Sequence, residues 1–263
     1  MWLDTYLRRA GVEAPAATLD SLRSLHLAHR EAFLFENLDI QRGLPVSVEV
    51  PSIARKFLEE GRGGYCFEHN TLFAAVLRDV GFEVESFLGR VRRGPRERWM
   101  RTHMLLRVVL AGEPWIADVG FGGIGLLEPI PLADGVTATQ GGITYTLRRE
   151  ASHWVLSMHS VGGVEMDLYE FAEEAQTEGD VEIANHYTST HPESIFRKSI
   201  SIQRATREER AILRFGTFTR YQAGILAEES PVGRERLPAI ARSVFAVELG
   251  EGPFVFESYG GSC

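Results

Sequence analysis

Cys66, His103 and Asp118 are the residues of this 263-residue chain whose types and order suit nucleophilic catalysis. Cys66 stands in RGGYCFEHN (Arg62–Asn70), behind two glycines and just ahead of Glu68 and His69. Free cysteine is also a small apolar filler of cores, so the thiol has to be read from its setting. That setting is a glycine-containing turn passing into a helix over residues 66–80. Leu72, Phe73, Val76 and Leu77 share one face of it, and Gly81 stops it. A helix N-terminus carries partial positive charge and free N–H groups, which favour a thiolate. A thiol nucleophile also needs a base, and the base an orienting group. His103 opens HMLLRVVL and Asp118 ends PWIADV, two runs that read as a hairpin around AGEP.

Parity tests that pairing. An even-length loop puts His103 and Asp118 on one face with Leu105 and Arg107, and Met104, Leu106 and Val108 behind. A four-residue turn at Ala111–Pro114 would offset the pair by four positions, and direct apposition requires a tighter turn or a bulge near Gly120. Taken singly, each residue has an ordinary structural reading. Asp118 is then a turn former, His103 a hydrogen-bonded histidine and Arg62 a salt-bridging residue. Glu68 and His69 lack a framing H-E-x-x-H or C-x-x-C, so no metal is expected. GFGGIG (Gly120–Gly125) matches a dinucleotide loop, but Pro129 and Pro131 forbid the helix that must follow it, so that reading is set aside.

The positioning elements follow from periodicity. Residues 1–82 read as helical, with Leu19, Leu22 and Leu25 at helical spacing and Thr18 as a cap, and with PSIARKFLEEG as a further short helix. From about Glu83 the period changes to short, β-rich runs separated by Gly, Pro and Asp. A helical stretch near 165–180, the loop NHYTSTHPES, mixed short strands, the helix GRERLPAIARSVFAV and a Gly-rich tail complete the chain. Helices first, then strands, then a mixed unit point to an α+β fold. The net charge of −8 argues against a nucleic-acid partner. The two free cysteines suit a reducing cytosol, and Cys263 reads as an exposed bystander. There is no signal-peptide pattern at the start and no apolar run near the ~20 residues of a membrane span. A soluble, cytoplasmic protein with no membrane partner is expected.

Five stretches together resemble the arylamine N-acetyltransferases: LFENLDI (Leu34–Ile40), RGGYCFEHN, LFAAVLRDVGFEV (Leu72–Val84), THMLLRV (Thr102–Val108) and WIADVGFGG (Trp115–Gly123). The match is strong over residues 29–125, weaker at STHPESIF and FGTFTRY, and vague in the last forty residues. The resemblance implies an N-terminal helical bundle (1–82), a central β-barrel (83–190) and a C-terminal α/β lid (191–263) around a papain-like Cys–His–Asp core. It makes Cys66 the acyl-accepting nucleophile, His103 its base and Asp118 the orienting carboxylate. It further implies ping-pong transfer of an acetyl group from acetyl-CoA to arylamines, arylhydrazines or N-hydroxyarylamines, with no metal. Two positions depart from the family's pattern. Leu34 stands where proline usually precedes FENL, and His69, placed to alter the charge near Cys66, where an apolar residue is common.

Phe121, beside Asp118, is the candidate wall of the acceptor pocket, and Glu36 with Arg62 reads as a supporting charged pair. GRVRRGPRERWMR contrasts with the acidic chain, and guanidinium groups bind phosphates, so Arg93, Arg96, Arg98 and Thr102 are the expected CoA contacts. The alternative reading of that loop is a solvated segment whose arginines pair with carboxylates. Two other activities fit the same triad. One is an amide synthase of this fold acting on a carrier-bound polyketide; the other is a thiol hydrolase.

Overall fold

The computed structural model describes residues 2–13, 16–160, 165–250 and 254; Cys263 and most of the Gly-rich tail lie outside them. The first third is mainly helical: α1 (Trp2–Ala10), α2 (Leu19–Ala32), α3 (Leu38–Gln41), α4 (Val50–Ala54) and α5 (Cys66–Val80). Thr18 caps α2 by accepting the Ser21 N–H at 3.2 Å. The helix then buries Leu22, Leu25, His26, His29 and Arg30 along one face. α5 begins at the cysteine, where Glu68 accepts the Tyr65 N–H at 3.1 Å, and it stops at left-handed Gly81.

One short strand in this region, β1 (Phe35–Glu36), is not covered by a helical reading of residues 1–82. It bridges Gly64, just ahead of Cys66, and pairs with a strand of the C-terminal sheet. The nucleophile's turn is therefore tied to the last part of the chain by backbone hydrogen bonds.

β2 (Glu83–Val91), β3 (Arg101–Leu110), β4 (Glu113–Ala117), β5 (Ile130–Pro131), β6 (Val136–Gln140), β7 (Ile143–Glu150), β8 (His153–Ser160) and β9 (Glu165–Phe171) form one antiparallel sheet. Its order, β5-β4-β3-β2-β9-β8-β7-β6, curls into a nearly closed barrel. The β3–β4 turn is tighter than a four-residue loop. Leu110 pairs with Glu113, leaving Ala111 and Gly112 at φ 51 and 82, the double positive-φ turn that matches strand twist. Leu106 lies opposite Ala117, so His103 and Asp118 are diagonal neighbours on one face, and side-chain reach closes the remaining gap. The alternation fits parity: Leu105 enters the barrel core, while Met104, Leu106 and Val108 pack against the helices.

Two local expectations are corrected. Residues 165–171 form β9, paired on both sides by β2 and β8, and not the start of a helix. NHYTST belongs to α6 (Glu178–Thr190), whose start Thr177 and Asp180 cap reciprocally. After α7 (Ile195–Lys198) come β10 (Ser201–Ala205), β11 (Glu209–Arg214), β12 (Thr217–Gln222), β13 (Ile225–Pro231) and α8 (Leu237–Phe245). With β1 the four strands make a second sheet, and α8 buries Leu237, Ala241 and Phe245 in a core it shares with β10 to β12.

Candidate active site

A helix start and a strand position the thiol. Cys66 opens α5, and its Sγ points at the Thr102 carbonyl on β3, 3.7 Å away. The next strand residue, His103, is buried and donates from Nε2 to Oδ2 of Asp118 at 2.7 Å. That bond leaves Nδ1 as the ring's proton acceptor. Asp118 is held on every side. Its Oδ1 accepts from Asn70 Nδ2 at 3.1 Å and from the Gly120 N–H at 2.9 Å, and its own N–H donates to His26 Nε2 at 3.1 Å.

Gly120 is required here. A Cβ at that position would lie 2.4 Å from Asn70 Nδ2 and 2.8 Å from the Cys66 Cα, so only glycine lets the Asp118 loop approach the nucleophile's helix.

Burial opposes the help that the helix end gives, in keeping with the expected need for a base. The helix end does not by itself yield an anion, because burial pushes the Cys66 thiol up to about 12. Asp118 and Glu68 add to that rise, and the Met104 and Phe67 N–H groups oppose it without offsetting it. Ionisation must therefore be coupled to proton uptake by a nearby base. Burial would lift the Asp118 carboxyl too, but the His103 charge and hydrogen bonds from His103, Asn70 and Gly120 hold it at about 2. Asp118 stays a carboxylate at any working pH. His69 adds no charge, since burial lowers its imidazole to about 3.

Phe121 sets its ring edge-on to His103 at 4.9 Å between centroids. Tyr169 of β9 packs on His103 at 4.8 Å and on Phe121 at 5.1 Å. Sequence reading missed Tyr169, because only barrel closure brings β9 beside β2. Asn70 was missed too, although its position one helical turn beyond Cys66 was a usable signal.

The charged pair Glu36–Arg62 is present, with 2.8 Å between Oε1 and Nη2. Arg62 also reaches Asp39, Asp39 reaches Lys56 at 2.6 Å, and Lys56 reaches Glu68 at 2.7 Å, forming one chain beneath the Cys66 turn. The arginine-rich loop divides. Arg92 is clamped by Glu150, Asp167 and Glu170, and Arg101 pairs with Glu174 at 3.0 Å. Arg93, Arg96 and Arg98 are exposed, with Arg93 over the Phe215 ring at 4.6 Å and Arg96 over Trp99 at 5.9 Å. Thr102 meets the site through its backbone carbonyl, and its hydroxyl turns to the Met100 carbonyl at 3.4 Å. No His/Cys/Asp/Glu cluster suited to a metal ion occurs among the described residues.

Residues 18–254 match the N-acetyltransferase family model. The chain is 37% identical over 237 residues to an arylamine N-acetyltransferase of Escherichia coli, covering 89% of this chain and 82% of that one. Its fold is similar to the arylamine N-acetyltransferase structure from Salmonella typhimurium (TM-score 0.86, 34% identity, 94% and 91% of the two chains). It is also similar to that of Mycobacterium marinum in complex with CoA (TM-score 0.88, 30% identity, 95% of each chain). The chain belongs to the arylamine N-acetyltransferase family.

Proposed function

We propose that this protein moves an acetyl group from acetyl-CoA, through a thioester on Cys66, to the nitrogen of arylamines, arylhydrazines or N-hydroxyarylamines. The observation that carries this reading is the buried His103–Asp118 bond of 2.7 Å, set beside a thiol at the start of α5. As Cys66 attacks the acetyl carbonyl, its proton passes to His103 Nδ1, and Asp118 stabilises the imidazolium. The carbon–sulfur bond to CoA breaks, and the departing sulfur takes that proton. The amine then attacks the thioester, His103 accepts the amine proton, and the proton returns to the Cys66 sulfur as the amide leaves.

Other assignments belong to the same proposal. Arg93, Arg96, Arg98 and Thr102 receive CoA, and Phe121 walls the acceptor site, a role its contact with His103 supports. Residues 1–82, 83–190 and 191–263 act as bundle, barrel and lid. No helix among the described residues is long and apolar enough to cross a membrane, which fits work in the cytoplasm.

Intact-protein mass spectrometry after mixing with acetyl-CoA tests the scheme. One acetyl group should appear on Cys66 and leave when an arylamine or hydrazine is added. An active enzyme with Cys66 unlabelled overturns it.

A further inference from the structure

The loop after Asp118 is held by two buried arginines. From α2, Arg30 donates to the Val119 carbonyl at 3.0 Å and to the Gly122 carbonyl. From β11, Arg210 donates to the Gly123 and Gly125 carbonyls at 2.7 and 2.8 Å. They are 4% and 1% exposed, and among the described residues neither forms an ion pair. Each leaves its Nε–H without a partner. A buried cation is ordinarily matched by a carboxylate, and two cations side by side repel. Burial and the Arg210 charge lower Arg30 to about 10, and the anion that works against them is Asp118.

We propose that Arg30 is a positioning residue of the triad: its guanidinium fixes the Val119–Gly122 backbone and sets a permanent positive charge behind Asp118, to which the Cys66–His103 pair is tuned. Carbonyl contacts alone would be met by any donor. A guanidinium without a carboxylate of its own supplies charge as well, and in a low-dielectric interior that charge acts on every group nearby.

Several titratable groups face Arg30 and Asp118. They are His26 and His29 from α2, Cys66 and His69 from α5, His103 from β3, Tyr145 from β7 and Tyr169 from β9, with Arg210 from β11. Burial holds His26, His29 and His69 neutral by lowering them and the two tyrosines neutral by raising them. Cys66 and His103 remain as the groups that exchange a proton. A positive charge lowers the pH at which that pair loses a proton, and removing the charge raises it.

The inference rests on Cys66 being the reactive thiol, so the test reads that residue without acetyl-CoA. Iodoacetamide alkylation of Cys66 is followed against pH by mass spectrometry in wild type, Arg30→Met, Arg30→Gln and Arg30→Lys. The neutral variants should move the midpoint upward by roughly half to one pH unit, while Arg30→Lys stays within a fraction of that. Arg210→Gln, further along the loop, should give a smaller shift of the same sign. An unchanged midpoint in a folded neutral variant overturns the proposal and leaves the triad reading standing. So does failure of every neutral variant to fold, which makes both arginines structural only. Cys66 that no pH renders reactive overturns the triad reading itself.

Discussion

His69 donates from Nε2 to the Leu34 carbonyl at 3.0 Å, so the residue just ahead of FENL is tied to a histidine in the first turn of the nucleophile's helix. Proline fixes its own φ, and leucine does not. Here the Leu34 carbonyl is held by His69 and by the Gly64 N–H at 3.3 Å. A Cβ on Gly63 would lie 1.9 Å from that same oxygen. The joint between FENL and the Cys66 turn is thus fixed through a side chain. A carbonyl can only accept, which sets every proton behind it: His69 Nδ1 accepts from His29 Nε2 at 2.8 Å, and His29 Nδ1 accepts from the Tyr6 hydroxyl at 2.9 Å.

Breaking this chain in the middle should cost more than removing it. His69→Leu strands a buried polar group on His29 whichever tautomer that ring adopts, a loss of about 1–3 kcal/mol. For a chain of this size that is roughly 2–4 °C in Tm per kcal/mol. His29→Phe combined with His69→Leu should cost less than the sum of the two single changes. Thermal melts of the three variants decide it, and additive losses would show that the residues act independently.

The same histidines make stability depend on pH. Burial lowers His26 to about 4, His69 to about 3 and His29 well below its usual value. Between those values and an unfolded value near 6.5, the unfolded chain binds protons that the folded one does not, so stability falls as pH drops below about 6.5. Glu68 acts in the opposite sense. Burial lifts it to about 7, with Lys56 offsetting only part of that, so its folded form holds a proton that the unfolded carboxylate lacks. Three histidines against one glutamate give a net slope approaching two protons, about 3 kcal/mol per pH unit around pH 5 to 6. Urea midpoints at pH 7.5, 6.5 and 5.5 should fall progressively. A flat profile would mean the buried imidazoles are already charged in the native state.

Legibility in the sequence followed how local the cause was. α5 could be read to the residue, because its apolar spacing, its glycine stop and its turn lie within a score of positions. Hairpin parity put His103 and Asp118 on one face, but not their separation, since a two-residue turn needs Ala111 at positive φ and alanine does not announce that. EMDLYEF lacks clean alternation because β9 is paired on both edges and buried toward its end, so its strand character comes from neighbours distant in sequence. Tyr169 was hidden with it. The role of Arg30 was equally out of reach, because a helical arginine reads as solvated until the loop 90 positions further on closes over it.

Asp118→Asn should abolish turnover while leaving the fold intact, and the hydrogen bonds explain how. The Oδ1 side already receives two N–H groups, so an amide at this position keeps its oxygen there and turns its NH2 toward His103. Nε2 must then accept, and the ring proton moves to Nδ1, where it blocks uptake of the thiol proton. The expected loss is on the order of 10³- to 10⁴-fold in kcat/KM, with Cys66 alkylation near neutral pH lost in parallel and a melting curve close to wild type. Turnover within tenfold of wild type at unchanged Tm would reduce Asp118 to a turn former.

Neutralising Arg93, Arg96 and Arg98 together to glutamine should raise the KM for acetyl-CoA several-fold and leave transfer from acetyl-Cys66 to the amine nearly unchanged. These three are exposed cations of the basic loop, as is Arg101 on its Glu174 partner, whereas Arg92 is enclosed by Glu150, Asp167 and Glu170. Arg92 is therefore the internal control. Arg92→Gln strands the buried Glu170 carboxylate and should lower Tm with little effect on KM. In the chain the three exposed guanidiniums stand four to nine positions ahead of Thr102, whose carbonyl meets the Cys66 thiol, and that nearness in sequence is what motivates the test. Guanidinium groups bind phosphate in bidentate fashion, and a local positive patch concentrates an anionic cosubstrate on an otherwise acidic protein. Exposed charges are screened over ~8–10 Å, so rising salt should bring wild type toward the triple variant and leave the variant nearly flat. A wild-type KM in the triple variant at low salt would place the phosphates elsewhere and leave this loop a solvated surface.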